Sequence, residues 1–245
     1  MRDDTAAILL IGDELLSGKV VDENARFLIG ELRELGVAVR RVLIIPDVVE
    51  EIAVAVRELS AGHTHLFTSG GVGPTHDDLT MEGVARAFGV KVARHPDLER
   101  MLRDFYGDKL EDRNLRMADL PEGAALLPSD HAAWPVAAFR NVYILPGIPV
   151  IFRRKFLAIR DRFRQRPFHL RCLFTGDDEG RIAAHLDHVA AAHPEVAIGS
   201  YPRITDSGWR VKITLESKDP DAVERAVEEL AALLGDGACR QDDEP

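Results

Sequence analysis

The segment Thr68-Ser69-Gly70-Gly71-Val72-Gly73-Pro74-Thr75-His76-Asp77-Asp78 sets three glycines ahead of two adjacent carboxylates. Glycines at the end of a strand expose backbone N–H groups with no Cβ in the way, and such donors hold phosphate where a strand turns into a helix. The run lacks the lysine of a Walker loop and the G-x-G-x-x-G order of a dinucleotide fold, so neither of those mechanisms transfers. Two carboxylates beside a phosphate repel it unless a divalent cation lies between them. Asp77 and Asp78 therefore predict a hard, oxygen-ligated ion such as Mg²⁺, able to polarise a phosphoryl oxygen and orient a water. Plainer readings stand beside these: the glycines form only a tight turn, and Asp78 or Thr80 N-caps the next helix.

Three other segments have the same acidic or glycine-bearing character. Gly12-Asp13-Glu14-Leu15-Leu16-Ser17-Gly18 follows an apolar run, Asp47 follows another, and Pro146-Gly147-Ile148-Pro149 follows a third. In parallel sheets ligands lie beyond the carboxyl ends of the strands, where all four segments emerge. The predicted ligand-binding set is Gly12, Asp13, Glu14, Thr68, Ser69, Gly70, Gly71, Gly73, Pro74, Thr75, Pro146 and Gly147. Asp47 and Asp78 are the predicted catalytic pair, and Asp77 and Asp78 the metal ligands. Asp47-Val48-Val49-Glu50 also has the spacing of a capping box. His76 neighbours the carboxylates, with an exposed loop histidine as the default. Arg153-Arg154-Lys155 could meet a phosphate, but helix surfaces carry such clusters routinely. His63 and His65 read as solvent-facing, and His185, His188 and His193 as a polar helix face whose spacing does not converge on a metal.

These residues need elements to position them. Ala6 to Ile11 is a continuous apolar run, the pattern of a strand buried on both faces. Asp22 can N-cap a helix carrying Phe27, Leu28, Leu32 and Leu35, with Gly36 closing it. A strand follows at Val37 to Ile45, a helix opens at Asp47, and Leu66 to Ser69 is a further strand. A helix runs from about Leu79 to Phe88. Between Lys109 and Pro135 the pattern yields one short strand near Ala124 to Leu127, and Asn141 to Leu145 and a helix over Val150 to Phe163 complete the domain. Alternation of this kind predicts a three-layer αβα domain with a mostly parallel sheet over residues 1–166. Residues 167–240 read as a small α+β domain, with strands at Phe168 to Phe174, Val196 to Tyr201 and Trp209 to Glu216, helices at Asp178 to Ala192 and Asp221 to Leu234, and a hairpin loop at Asp206-Ser207-Gly208.

Composition narrows the partners. Lys plus Arg number 31 against 41 Asp plus Glu, a net charge of −10 that repels a nucleic-acid backbone. The small domain has a KH-like or ferredoxin-like order of elements but no GxxG clamp, so no nucleic-acid partner is expected. No apolar run approaches the roughly 20 residues that cross a bilayer, and Met1-Arg2-Asp3-Asp4 leads into a strand; no membrane partner and a cytoplasmic location are expected. Cys172 and Cys239 read as reduced thiols. The acidic tail from Gln241 reads as frayed.

Ile11 through Gly18 with Asp22 and Asn24, together with Thr68 through Thr80, resemble the two signature blocks of the competence/damage-inducible protein A branch of the molybdopterin-binding-domain superfamily. The likeness covers roughly Ala6 to Phe163. Asn141 to Pro149 and Ile198 to Pro202 are similar to the molybdopterin-binding-like domain attached to eukaryotic FAD synthases. The resemblance implies metal-dependent hydrolysis of a nucleotide pyrophosphate such as ADP-ribose or FAD. The alternative it carries is a binding protein that holds molybdopterin or a nucleotide without chemistry, related to molybdenum cofactor biosynthesis. In the molybdopterin adenylyltransferases of the superfamily one aspartate follows a strand end and another lies in an Arg-Asp-Val-Thr segment; Asp47 and Asp78 match those positions. Where the damage-inducible branch has Gly-Thr-Ala-Pro-Gly, this chain has Ala132-Ala133-Trp134-Pro135-Val136. A small-molecule nucleotide or pterin, a divalent metal and a homo-oligomer are the partners expected, the small domain being one means of dimerisation. Neither an amidohydrolase nor an FAD-synthase catalytic domain is read in the chain, so those activities are not expected.

Overall fold

The computed structural model describes residues 3–128, 134–203, 209–235 and 238–241. The chain divides into two compact units, Met1–Gln165 and Arg166–Pro245.

The first unit begins with β1 (Thr5–Ile11), α1 (Asp13–Leu16), α2 (Asn24–Glu34), β2 (Ala38–Ile45), α3 (Val49–Gly62), β3 (His65–Ser69) and α4 (Thr80–Phe88). It continues through β4 (Val92–Arg94), α5 (Pro96–Tyr106), α6 (Asp112–Leu115), β5 (Asp119–Pro121), β6 (Ala125–Leu127), β7 (Val136–Phe139), β8 (Val142–Leu145) and α7 (Pro149–Ile159). Six strands form one sheet in the order β2-β1-β3-β8-β7-β6. The β1–β2, β1–β3 and β3–β8 pairs are parallel, while β7 and β6 add antiparallel edges.

The apolar run of β1 fills both faces because successive side chains point to opposite sides. Ala6, Ile8 and Leu10 pack with Leu28 and Leu32 of α2 and Phe152 and Phe156 of α7. Ala7, Leu9 and Ile11 pack with Ile52, Val56 and Leu59 of α3, Val84 of α4 and Leu98 of α5. The result is helices, sheet, helices: the three-layer arrangement that the alternating pattern predicts.

Several local expectations are corrected. The stretch from Lys109 to Pro135 holds α6 and β5 besides the expected strand, which is β6, and β7 beyond it pairs with β6 antiparallel. Short edge strands of three or four residues are too brief for a period to register. His65 does not face solvent. Its ring packs edge-on to Phe163 at 5.1 Å, its Nε2 lies 3.3 Å from Asp4 Oδ2, and burial pushes its pKa down. The Asp47–Glu50 capping box does not form: Val48 occupies the N-cap position of α3, with no side-chain bond to the helix amides. Asp22 lies one residue before the N-cap position of α2, Glu23, and its carboxylate accepts from the N–H of Asn24 at 3.1 Å and of Ala25 at 3.0 Å.

The second unit contains β9 (His169–Thr175), α8 (Glu179–Ala192), β10 (Ala197–Pro202), β11 (Val211–Ser217), α9 (Pro220–Leu234) and β12 (Ala238–Gln241). Its antiparallel sheet has the order β10-β11-β9-β12. Val211, Ile213 and Leu215 point at Ile182 and Val189 of α8 and at Val223 and Val227 of α9. Asp206-Ser207-Gly208, the expected hairpin loop, lies outside the described residues, as does the tail beyond Gln241. His188 and His193 are more than a polar face, since their Nε2 atoms meet the two carboxylate oxygens of Glu229 at 3.0 and 2.8 Å. Neither Cys172 nor Cys239 is in a disulfide. Among the described residues no helix is long and apolar enough to cross a membrane.

Candidate functional site

The carboxyl ends of β1, β2, β3 and β8 meet at one rim of the first unit, joined by hydrogen bonds between segments far apart in sequence. Gly12 N–H donates to Ile45 O at 3.1 Å and Gly70 N–H to Leu145 O at 3.2 Å. Asn24, buried at the start of α2, donates from Nδ2 to Ser69 Oγ at 2.9 Å and to Gly147 O at 2.8 Å. Sequence reasoning placed Asn24 in a motif without giving it this role. Its long-range partners carry no local signal.

Gly70 has φ +104, and a Cβ there would lie 2.1 Å from Ile11 O; Gly71 has φ +61 and approaches the Thr80 hydroxyl. That hydroxyl donates to Gly70 O at 2.8 Å instead of capping α4, and Leu79 occupies the N-cap position. Asp78 does not cap α4 either. Its carboxylate turns back into the loop and accepts from Gly73 N–H at 2.6 Å, Thr75 N–H at 2.7 Å and the Thr75 hydroxyl at 2.6 Å. Both Asp78 oxygens are thus engaged in shaping the turn, and the Gly73 amide is already occupied. The amides of Gly71 and Val72 have no acceptor among the described residues.

The remaining predicted residues separate by exposure. Thr68 is wholly buried within β3 and Ser69 is 4% exposed, so both act behind the rim. Asp13, Glu14, Thr75, Asp77 and Gly147 are exposed, and Pro74 and Pro146 line a cavity described below. Asp47 Oδ2 accepts from Asp13 N–H at 2.9 Å, a long-range bond that replaces the expected cap. Burial raises the Asp47 pKa, the Asp13 amide opposes the rise, and the charges of Glu14, Asp13 and Asp77 add to it. Asp77 is held below the usual range, first by the nearby Thr75 hydroxyl. The His76 side chain is fully in solvent, 3.8 Å from Asp77.

Four carboxylates therefore share one rim, but among the described residues no group of three or more His, Cys, Asp or Glu forms a metal cage. This donor set suits a hard cation that takes one or two carboxylates and completes its sphere with ligand phosphates and water, as Mg²⁺ does. Of the two predicted metal ligands, Asp78 has both oxygens bonded within the turn and Asp77 is exposed, so Asp77 together with Asp47 could hold such an ion.

The crowding has a thermodynamic consequence. A carboxyl whose folded pKa is raised stabilises the fold when protonated, and that contribution is lost as pH rises through the folded pKa. Asp47→Asn, which keeps an oxygen for the Asp13 amide, is expected to raise stability at pH 7 by about 0.5 kcal/mol, the scale of screened charge interactions. The gain should close as pH falls towards the ordinary value of 3.8. Urea midpoints at pH 7 and pH 4 check this, and an unchanged midpoint at pH 7 rejects the crowding.

Two cavities adjoin the turn and share Val72, Gly73, Asp78, Met81 and Met117 in their walls. The larger, about 700 Å³, includes Arg86, Lys91 and Arg116. The smaller, about 470 Å³, is mainly apolar and aromatic and includes Lys155. Asp13, Glu14, Asp47 and Asp77 line neither cavity. The basic triplet of α7 is split by the fold. Arg153 pairs with Glu23 at 2.8 Å, whereas Lys155 Nζ donates to Pro135 O at 2.6 Å. Trp134 and Pro135 lie at this wall; Ala132 and Ala133 of the same sequence departure lie outside the described residues.

Residues 7–165 match the family described as a probable molybdopterin binding domain, and residues 167–243 match the FAD synthase middle domain. An Archaeoglobus fulgidus protein is 32% identical over 229 residues, covering 94% of this chain and 97% of that protein. A probable FAD synthase of Caenorhabditis elegans is 31% identical over 258 residues, covering 94% of this chain and 50% of the worm protein. The chain thus spans about half the length of that relative. Among solved structures, the protein CinA of Thermoplasma acidophilum, described as of unknown function, aligns with a TM-score of 0.60 at 30% identity, covering 66% of this chain and 99% of the other.

Proposed function

The chain belongs to the molybdopterin-binding-domain family, with a unit of the FAD synthase middle-domain kind following it, and from that premise we propose that it binds a nucleotide or pterin diphosphate at the glycine turn and hydrolyses a nucleotide pyrophosphate such as ADP-ribose or FAD. The observation that carries the reading is the pair of unclaimed amides at Gly71 and Val72. Both residues line the cavity that also holds Arg86, Lys91 and Arg116; Arg86 is paired to Glu50, and Glu82 and Asp119 lie in the same wall. Backbone donors and guanidinium groups together match the oxygens of a diphosphate.

In this reading Asp78 holds the turn open, and Asp47 and Asp77 face the ligand. A divalent cation, when bound, supplies charge neutralisation between those carboxylates and the phosphates. Asp47 positions the cation and the attacking water, and the proton that the water loses passes to solvent. Water adds to one phosphorus, the P–O–P bond opens, and the two monophosphate products leave. For FAD these are FMN and AMP.

The test incubates the full chain with ADP-ribose or FAD and Mg²⁺, Mn²⁺ or Co²⁺, and separates the products chromatographically. Monophosphate release by the wild type, lowered about 100-fold or more in Asp47→Asn, is the expected result. Intact substrates under every metal reject hydrolysis. A second reading, binding without chemistry, is favoured by the engagement of both Asp78 oxygens within the turn. Calorimetric binding of a pterin or nucleotide with no turnover selects it, and absence of both heat and turnover removes both readings.

A further inference from the structure

The six-stranded sheet ends on two strands of unequal length. β6 is an edge of three residues, whereas β2, Ala38–Ile45, runs for eight with no neighbouring strand on its outer side. A long open edge is a template for pairing, and proteins shorten, charge or bulge such edges. β2 is blunted only at its start. Its register against β1 slips where Ala6 and Ala7 pair with Val39 and Arg41, so Arg40 is an extra, bulged residue. Arg41 pairs with Glu58 of α3. From Val42 to Ile45 the edge is wholly apolar.

Backbone direction singles out two of these residues. Gly12 N–H donates to Ile45 O, so the peptide groups of Ile45 face β1. In an extended strand the N–H and C=O of one residue point to one side, and successive residues alternate. Arg41, Leu43 and Ile45 therefore turn their peptide groups to β1, while Val42 and Ile44 turn theirs outward, where nothing among the described residues pairs with them. The side chains of Val42 and Ile44 lie on the α2 face of the sheet, since their β1 partners Ile8 and Leu10 pack with Leu28 and Leu32. Val42 is 42% exposed and Ile44 40%. Phe27 of α2 meets α7, and Ile29, about 200° round the same helix, is exposed on the opposite side, towards β2.

We propose that this edge pairs with the same edge of a second copy, antiparallel, about a two-fold axis at Leu43. The symmetry of the strand selects the occupant. Pro46 has no N–H and its oxygen already accepts from Val48 N–H, so Pro46 and the bulged Arg40 bound a usable edge of Arg41 to Ile45, whose centre is Leu43. With the axis there, Val42 lies opposite Ile44 of the second copy, and each such pair exchanges both N–H···O bonds. Four hydrogen bonds form with neither β1–β2 ladder disturbed, and the exposed apolar side chains cover one another. An axis at Val42 or Ile44 would instead engage the bulge or the proline. Charge favours the same arrangement. Arg40 comes level with Pro46 of the second copy, next to Asp47, whose pKa is raised by burial and by the charges of Glu14, Asp13 and Asp77.

Sedimentation equilibrium of the full chain over a range of concentrations tests the pairing, with circular dichroism to establish that each variant folds. The wild type is expected to dimerise. Val42→Pro deletes an outward N–H and leaves the β1 ladder intact, a change that edge strands tolerate. By symmetry it removes two of the four bonds, and the dimer dissociation constant should rise about 100-fold or more. Ile44→Lys should weaken the dimer similarly by setting an ammonium against Val42 of the second copy, and it decides the matter if Val42→Pro does not fold. Val54→Lys, at an exposed apolar position of α3, should leave the dimer unchanged. Adding Val42→Asp to Ile44→Lys places opposite charges across each pair and should recover much of the lost affinity. A monomeric wild type overturns the proposal and leaves the edge to a strand of another protein. A dimer indifferent to both Val42→Pro and Ile44→Lys overturns it too, since that dimer is built elsewhere, and failure of the double variant to recover affinity overturns the axis at Leu43.

Discussion

Gly70→Ala is expected to destabilise the first unit by roughly 3 kcal/mol or more, combining a strained backbone with overpacking against a fixed atom. The added Cβ would meet Ile11 O at 2.1 Å, and Gly70 has φ +104. The carbonyl cannot retreat cheaply, because Ile11 ends a strand paired on one side with β2 and flanked on the other by β3. Total stabilities are about 5–15 kcal/mol, so the substitution removes a large share. In a 165-residue unit it lowers the melting temperature by roughly 6–12 °C. Urea denaturation of the full chain measures it. A change under about 1 kcal/mol would mean that the β1 and β3 ends slide apart freely, and the rim is then no rigid platform.

Asp78→Ala should have the second largest effect, on stability and binding together. Three donors lose a charged acceptor: the amides of Gly73 and Thr75 and the Thr75 hydroxyl. Hydrogen bonds to charged groups contribute about 1.5–3 kcal/mol each, but the site is half-exposed and water replaces part of the loss, so a net of about 2 kcal/mol is expected. Diphosphate affinity should fall about 30-fold or more, since the Gly71 and Val72 amides lose the loop that aims them. Asp77→Asn is the matched control. Asp77 is exposed and accepts none of the three bonds that Asp78 does, so its replacement should lower the melting temperature less than Asp78→Ala while reducing the metal dependence of binding. If Asp78→Ala and Asp77→Asn leave melting alike and reduce binding alike, Asp78 acts on the ligand and not on the turn.

Much of the scaffold was legible because its signals are local. A continuous apolar run such as Ala6 to Ile11 can be stable only with both faces covered, and apolar periods of three and four among helical residues show which side is covered. Glycine after a strand marks a close approach whatever the ligand. From these features alone the parallel sheet, its covering helices and the rim where its strands end could be placed. The short strands β5 and β7 could not, because three or four residues carry no usable period.

Partner choice at the rim was decided by tertiary structure. Asp47 had a cap within reach and instead accepts the Asp13 amide, and Thr80 had its own helix and instead donates to Gly70 O. In each case the sequence offers local and distant donors or acceptors of similar strength, and only the packing of β1, β2 and β3 determines which is at bonding distance. The same holds for Arg153-Arg154-Lys155, which reads as one basic patch. Two positions along the helix, a rotation of about 200°, send Arg153 to Glu23 and Lys155 to the carbonyls of Trp134 and Pro135. Sequence fixes which groups exist and which elements carry them; a hydrogen bond or cavity wall is a distance between residues far apart in the chain, and that distance is set only when the layers close.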